Sequence, residues 1–277
     1  MLQYMTFAEL TARAKEEGKT LSEMILADQS EQMELPAREL YERMEGALTV
    51  MEEAVKAGMD PGLRSTSGLT GGDAAKMHAY AQTGGMTGGF LNKAMARAIA
   101  VAEYNAAMGK IVAAPTAGSC GIIPGTVLSM LAEGRCSREQ AVMALFTSGA
   151  VGMVIANKAV LAGAQGGCQA ECGSASAMAA AALVELCGGT PEQSEQAVAI
   201  AIMNPLGLVC DPVAGLVEIP CIKRNVAGIE SKIPADECIA AMREVGESMP
   251  CALKETAQGG LAVTPTGLKM KQQGFGA

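Results

Sequence analysis

The sequence predicts an all-α fold, and three observations carry that prediction. Apolar residues recur at spacings of three and four, capping signals stand at the starts of those runs, and alternating β-branched patterns between turns are scarce. Helix starts are marked where a hydroxyl precedes a Glu or Gln by three residues: Thr6 with Glu9, Thr20 with Glu23, Ser137 with Gln140, and Thr190 with Gln193. In such a pair the hydroxyl accepts an N–H that the first helical turn leaves unpaired, and Pro191 brings a pre-set φ to the first helical position.

Taken in order, Thr6 and Thr20 open two N-terminal helices. Pro36 to Ala57 carries Leu40, Met44, Leu48, Met51 and Val55 as one apolar stripe and stops at Gly58. Lys76 to Tyr80 reads as the body of a helix. Further helices are expected at about 90–108, 121–133, 138–162, 173–187, 191–203 and 235–248, and Lys110-Ile111-Val112 is the one tempting strand. Between them lie Gly-rich stretches at 67–72, 115–121, 166–173 and 210–215, the last running on to Cys221. Glycine lets a ligand approach the main chain closely, so these read as loops that assemble a site on a rigid helical scaffold.

Composition narrows the function. Aromatics are 3% of the 277 residues with no Trp, so the core is built from Ala, Val, Leu, Ile and Met, and base-stacking platforms are excluded. The net charge of −8 repels phosphate backbones and anionic lipid, which argues against nucleic acid and membrane as partners. Residues 1–60 hold 13 acidic and 6 basic side chains, whereas the remainder is nearly balanced. This predicts an acidic helical arm over 1–60 and an apolar helical body over 61–277, or one continuous domain over 1–277. The apolar run Ala141–Ala156 is shorter than the ~20 residues that span a bilayer and includes Thr147 and Ser148, so it reads as a buried core helix. Acids near the N-terminus, in place of a basic and then apolar stretch, predict a cytoplasmic protein. Nine cysteines, an odd number, do not read as a disulfide framework.

Cys168, Cys210 and Cys221 stand out because each falls in a Gly- or Pro-marked stretch, where N–H groups are free to bond sulfur. Three thiolates would leave one iron of an iron–sulfur cubane open as a Lewis acid. Packing of three small hydrophobic side chains is the other reading, and the spacings match no ferredoxin or zinc pattern. Cys172 reads as packing, Cys120 lacks the His partner of a thiol nucleophile, and Cys136, Cys187, Cys238 and Cys251 read as core. His78 is a general-base candidate that is more economically an ordinary helix residue. Asp211 fits either a carboxylate behind the metal ligands or a turn initiator, while Lys223 and Arg224 fit a solvated face. Gly68–Asp73 lacks the Lys-Ser/Thr ending of a phosphate loop and Gly84–Gly89 follows no strand, so turn glycines explain both.

The stretch Gly166-Gly-Cys-Gln-Ala-Glu171 and the longer Gly207-Leu-Val-Cys-Asp-Pro-Val-Ala-Gly-Leu-Val-Glu-Ile-Pro-Cys-Ile-Lys-Arg-Asn225 resemble the alpha chain of iron–sulfur-dependent L-serine dehydratase. Ser67–Asp73, Asn105–Gly109, Ala114–Gly118, Gly188–Gln193 and Gly259–Ala262 extend the likeness over nearly the whole chain. The resemblance implies an all-helical chain with a 4Fe-4S cluster on Cys168, Cys210 and Cys221. It implies an L-serine ammonia-lyase, a carbon–oxygen lyase that turns L-serine into pyruvate and ammonia without pyridoxal phosphate, in serine degradation that feeds gluconeogenesis. A separate beta chain completes the enzyme in this subtype and is a source for the base, so a homo- or hetero-oligomer is expected. Ser67, Thr70, Thr116, Ala117 and Gly118 lie in the matching loops as candidates for holding the substrate. The alternatives are an L-cysteine desulfidase-like lyase and a non-catalytic, cluster-binding regulatory subunit. Departures from the family pattern fall at Lys158–Ala164, where two hydroxyls are replaced, at Val226–Lys232, where a helix-length stretch is absent, and at the tail, which has no cysteine.

Overall fold

The computed structural model of the chain describes residues 6–68, 70–159, 161, 163–203, 250 and 258–272, and for 158, 163–169, 203, 261, 262, 267, 270 and 271 the backbone alone. Every regular element among them is a helix: α1 (Phe7–Glu17), α2 (Leu21–Met33), α3 (Ala37–Gly58), α4 (Asp73–Gln82), α5 (Gly89–Ala106), α6 (Ile122–Ala132), α7 (Arg138–Lys158), α8 (Gly163–Leu186) and α9 (Pro191–Met203). A 3₁₀ turn, Ala117–Ser119, precedes α6. The chain divides into two compact units, residues 1–230 and 231–277. The second contains, among the described residues, a 3₁₀ turn at Gly260–Val263 and α10 (Pro265–Gln272).

The capping pairs form as their spacing dictates. The Thr6, Thr20 and Ser137 hydroxyls accept the N–H of the residue three on at 3.1, 3.2 and 3.1 Å, and the Glu or Gln side chain there reaches back to the cap N–H. Thr190 and Gln193 exchange the same two bonds at 2.9 and 3.3 Å. The α3 stripe turns inward, with Leu40, Leu48 and Met51 buried and Met44 and Val55 packed at the edge. Gly58 ends α3 for a tertiary reason: a Cβ there would lie 2.0 Å from the Ala100 carbonyl oxygen of α5, so only glycine permits this crossing.

One cluster joins Leu10, Leu21, Met24 and Ile25 of the first two helices to Ile123 and Val127 of α6, Val142 and Phe146 of α7, and Ala177 and Ala181 of α8. Burying each large side chain contributes roughly 1.5–3 kcal/mol before ordering costs. α7 is, among the described residues, the one helix long and apolar enough by composition to cross a membrane, and 56% of that stretch is buried. It packs against α2, α3, α6 and α8, the core position expected for Ala141–Ala156. At its start Arg138 bonds Glu45, Glu52 and Thr49 of α3 and so fixes the register of the two helices.

Lys110–Val112, tempting as a strand, forms none. The structure differs from the sequence reading in two places. α7 stops at Lys158, short of the expected 162. More consequentially, α8 begins at Gly163, so Gly166–Gly173 is helix and not the loop expected there. Glycine costs a helix about 1 kcal/mol relative to alanine. Here Gly173, Ser174, Ala175 and Ala177 are buried, and α8 lies against α6, α7 and α9. Small side chains allow close packing, which offsets the low propensity. The helix expected at 235–248 lies outside the described residues.

Candidate active site

Two of the Gly-rich stretches hang from one helix end. In the first, Gly71 and Gly72 take φ of 133° and 83°, and a Cβ at Gly71 would sit 2.2 Å from the Leu63 carbonyl oxygen. The turn delivers the start of α4 to Glu103 of α5, which is 1% exposed and accepts the N–H groups of Asp73 at 3.0 Å and Ala74 at 3.2 Å. An internal carboxylate thus occupies the helix N-terminus, where a phosphate loop would place its ligand. Thr66 anchors the same loop by donating its N–H and its hydroxyl to the Ala106 carbonyl at 3.1 and 3.2 Å. Within the loop the Ser65 hydroxyl lies 3.1 Å from that of Ser67 and accepts the Thr70 N–H at 3.2 Å. Ser67 is exposed, whereas Thr70 is buried.

The second stretch is the turn from Thr116 to Ser119. Asn105, one residue before Ala106 in the last turn of α5, donates its side-chain N–H to the Ala117 carbonyl at 3.3 Å. The structure therefore brings the Ser67–Thr70 loop and the Thr116–Gly118 turn to the same end of α5. From the other side comes α8: the Thr116 hydroxyl donates to Glu171 Oε1 at 2.5 Å and lies 3.0 Å from the Ser119 hydroxyl. Gly118 sits against the same carboxylate, and a Cβ there would lie 2.5 Å from Oε1 and 2.8 Å from Oε2. Glu171 is buried. A carboxylate removed from water needs hydrogen-bond partners, and Thr116 supplies one.

Cys168 precedes Glu171 by three residues on α8, so its context is helical and the expectation of a loop is corrected. Cys210, Cys221, Cys238, Asp211, Lys223 and Arg224 lie outside the described residues, as does Cys251. Among the described residues no three His, Cys, Asp or Glu side chains converge as a metal site. Cys172 is buried, in line with packing, while Cys187, expected in the core, is exposed just past the end of α8. Cys120 is buried beneath the turn, its sulfur 3.9 Å from the Val101 carbonyl. Burial pushes this thiol up to about 12, and the Glu171 charge adds to the shift, so it stays protonated and is no nucleophile. His78 faces solvent on α4, its Nε2 3.2 Å from Gln82 Nε2.

Glu171 and Asn105 lie inside stretches that the sequence singles out, yet neither carries a role in the sequence reading. A lone acid within a run of small apolar residues was the available signal for Glu171, because such a side chain is buried only with a partner.

A family model for the serine dehydratase alpha chain matches residues 16–262. The chain belongs to the serine dehydratase alpha-chain family. A probable L-serine dehydratase alpha chain of Bacillus subtilis is 50% identical over 97% of this chain and 94% of its own length. The L-serine dehydratase alpha chain of Peptoniphilus asaccharolyticus is 42% identical over 96% of this chain and 97% of its own. An L-serine dehydratase of Escherichia coli is 42% identical over 60% of this chain but only 40% of its own length. Serine dehydratase alpha chains are thus matched almost end to end, and the longer relative carries sequence that this chain does not span. The all-α architecture expected of the family is the one observed.

Proposed function

We propose that this chain is the alpha subunit of an L-serine dehydratase that eliminates water from L-serine, the resulting enamine tautomerising and hydrolysing to pyruvate and ammonia. The observation that carries this reading is the end-to-end kinship, 50% identity over 97% of the chain, with a relative named for that activity. The convergence of the Ser67 and Thr116 loops at one end of α5 supports it.

Cys168, Cys210 and Cys221 are assigned as ligands of a 4Fe-4S cluster. The chemistry of the donor set fits: three soft thiolates suit such a cluster and leave one iron without a protein ligand. Bound there, the cluster supplies a Lewis acid for departure of the hydroxyl, which is a poor leaving group. The chain's own residues do the placing. The exposed Ser67 hydroxyl, Thr70, the Thr116 hydroxyl and the backbone of Ala117 and Gly118 hold the carboxylate and amino groups of serine. The turn rests on the buried Glu171 through Thr116 and Gly118, while Ala117 stays exposed at its tip. Removal of the α-proton is assigned to a group other than the exposed His78, either on a separate beta chain or a non-His side chain of this one. A cytoplasmic setting follows from the need to keep such a cluster reduced.

The test is anaerobic reconstitution with iron and sulfide, followed by measurement of pyruvate from L-serine with and without the beta chain. Turnover that needs iron, is lost in air together with the visible absorption, and does not respond to pyridoxal phosphate is expected. Sulfide release from L-cysteine in preference to serine turnover would make the chain a desulfidase instead. A fully loaded two-chain complex without lyase activity would make it a regulatory subunit.

A further inference from the structure

The geometry points to Glu171 as a positioning residue that fastens the substrate-holding turn Thr116–Ser119 to the helix bearing Cys168, so that substrate loop and cluster helix share one fixed geometry. This rests on the proposed role of the turn in holding serine. Three observations place Glu171 there. Its carboxylate is buried and accepts the Thr116 hydroxyl at 2.5 Å. Gly118 is packed so tightly on the same carboxylate that a Cβ would stand 2.5 Å from it. The residue lies three positions beyond Cys168 on α8, a rigid path of less than one turn.

The other supports of the turn do not substitute for this one. Asn105 holds the Ala117 carbonyl from α5, and the Ser119 hydroxyl braces Thr116 from within the turn, but neither reaches α8. The Thr116–Glu171 bond, spanning 55 residues of sequence, joins the turn to the helix of Cys168. Placement of a substrate relative to a reactive centre is sensitive to shifts of an ångström, which makes such a bond a kinetic matter as well as a structural one.

The test uses Glu171→Gln, Glu171→Ala, Thr116→Val and Gly118→Ala, with two readouts. In the full chain without cluster, hydrogen exchange of the amides at 117–121 should rise about tenfold in Glu171→Ala and Thr116→Val, the factor expected for loss of a hydrogen bond to a charged group. Exchange in α1 to α3 should stay unchanged. In the loaded two-chain enzyme, at equal iron per chain, kcat/KM for L-serine should fall about 10- to 100-fold in Glu171→Ala. Gly118→Ala, whose methyl displaces the carboxylate, should follow it. Glu171→Gln keeps an acceptor for the Thr116 hydroxyl, so it should retain normal exchange and most of the turnover.

Unchanged exchange in both Glu171→Ala and Thr116→Val would overturn the proposal, whatever the enzyme does. So would a Gln variant as inactive as the Ala variant, since the charge would then matter rather than the position. Raised exchange with unaltered kinetics would overturn it too, because the turn would not serve the substrate. Wild-type enzyme that loads iron but leaves serine untouched would refute the functional reading instead, and the exchange measurement on the cluster-free chain still decides the role of Glu171. Should Glu171→Ala fail to fold, Thr116→Val removes the same bond without touching the buried carboxylate.

Discussion

Glu171 and Glu185 lie on the same helix, about four turns apart, and both accept hydrogen bonds from hydroxyls, yet the two ends of α8 use that chemistry differently. Glu185 takes the Thr147 hydroxyl of α7 at 2.6 Å and the hydroxyl of Ser22 at the start of α2, with the Ser22 N–H adding a third bond at 3.4 Å. Its partners are buried residues of rigid helices, so this end sets the register of three helices. Glu171 grips a turn instead. A carboxylate clamped between helices does structural work, whereas one that holds a turn beside a proposed metal ligand is proposed to set how that turn meets a substrate. The difference lies in what the partner belongs to, and the carboxylates alone do not reveal it.

The largest expected contrast between the two ends is in cluster loading. Cys168→Ala in the first half of α8 should abolish it, as should Cys210→Ala and Cys221→Ala, whereas Cys187→Ala past the far end and Cys136→Ala should leave it intact. Iron and sulfide per chain after anaerobic reconstitution measure this, and full loading in Cys168→Ala would remove the functional half of the comparison.

Stability should show the reverse order. Glu185→Ala strands the buried Thr147 hydroxyl, leaves Ser22 only the Thr20 hydroxyl, and should cost about 1–3 kcal/mol, read from denaturant midpoints, with the kinetics of the folded fraction unchanged. A kinetic defect at full folding would show that the far end also reaches the site.

An effect confined to alkaline pH concerns Cys120, beneath the turn. Below about pH 9 its thiol is protonated in the folded and the unfolded chain alike, and between there and its folded value of about 12 unfolding releases a proton. The stability it contributes is therefore present below pH 9 and lost as pH rises toward 12, at most about 1.4 kcal/mol per pH unit. Cys120→Ala should flatten that fall. At pH 8 site-mapped alkylation should mark the exposed Cys187 well before Cys120. The smallest effect is expected at the solvent-facing His78. His78→Gln should retain most turnover at matched iron content, whereas a positioned base would lose ~10²–10⁴-fold.

Much of this fold was legible because its signals are local. The hydroxyl of Thr20 needs only Glu23, and the stripe from Leu40 to Val55 needs only its own periodicity, so caps and core faces follow from residues a few positions apart. The loops of Ser67 and Thr116 were legible as Gly-rich punctuation. Their meeting was not, because it depends on Asn105 and Ala106 at the end of a helix that the loops contact from different directions.

Gly166–Gly173 shows where local reading fails. Its glycines disfavour a helix by propensity, and tertiary packing against α6, α7 and α9 makes it one. The sequence by itself determined the helices, their caps, the inward stripes and the family to which the cysteine-bearing stretches belong, since each is written in neighbouring residues or in a shared pattern. The tertiary structure alone decided that Glu103 closes the start of α4, that Cys120 is buried out of reach of ionisation, and that Glu171 meets Thr116. Each of those depends on burial or on a partner distant in the chain, and a carboxylate or thiol acquires its role only when the fold has removed water from around it.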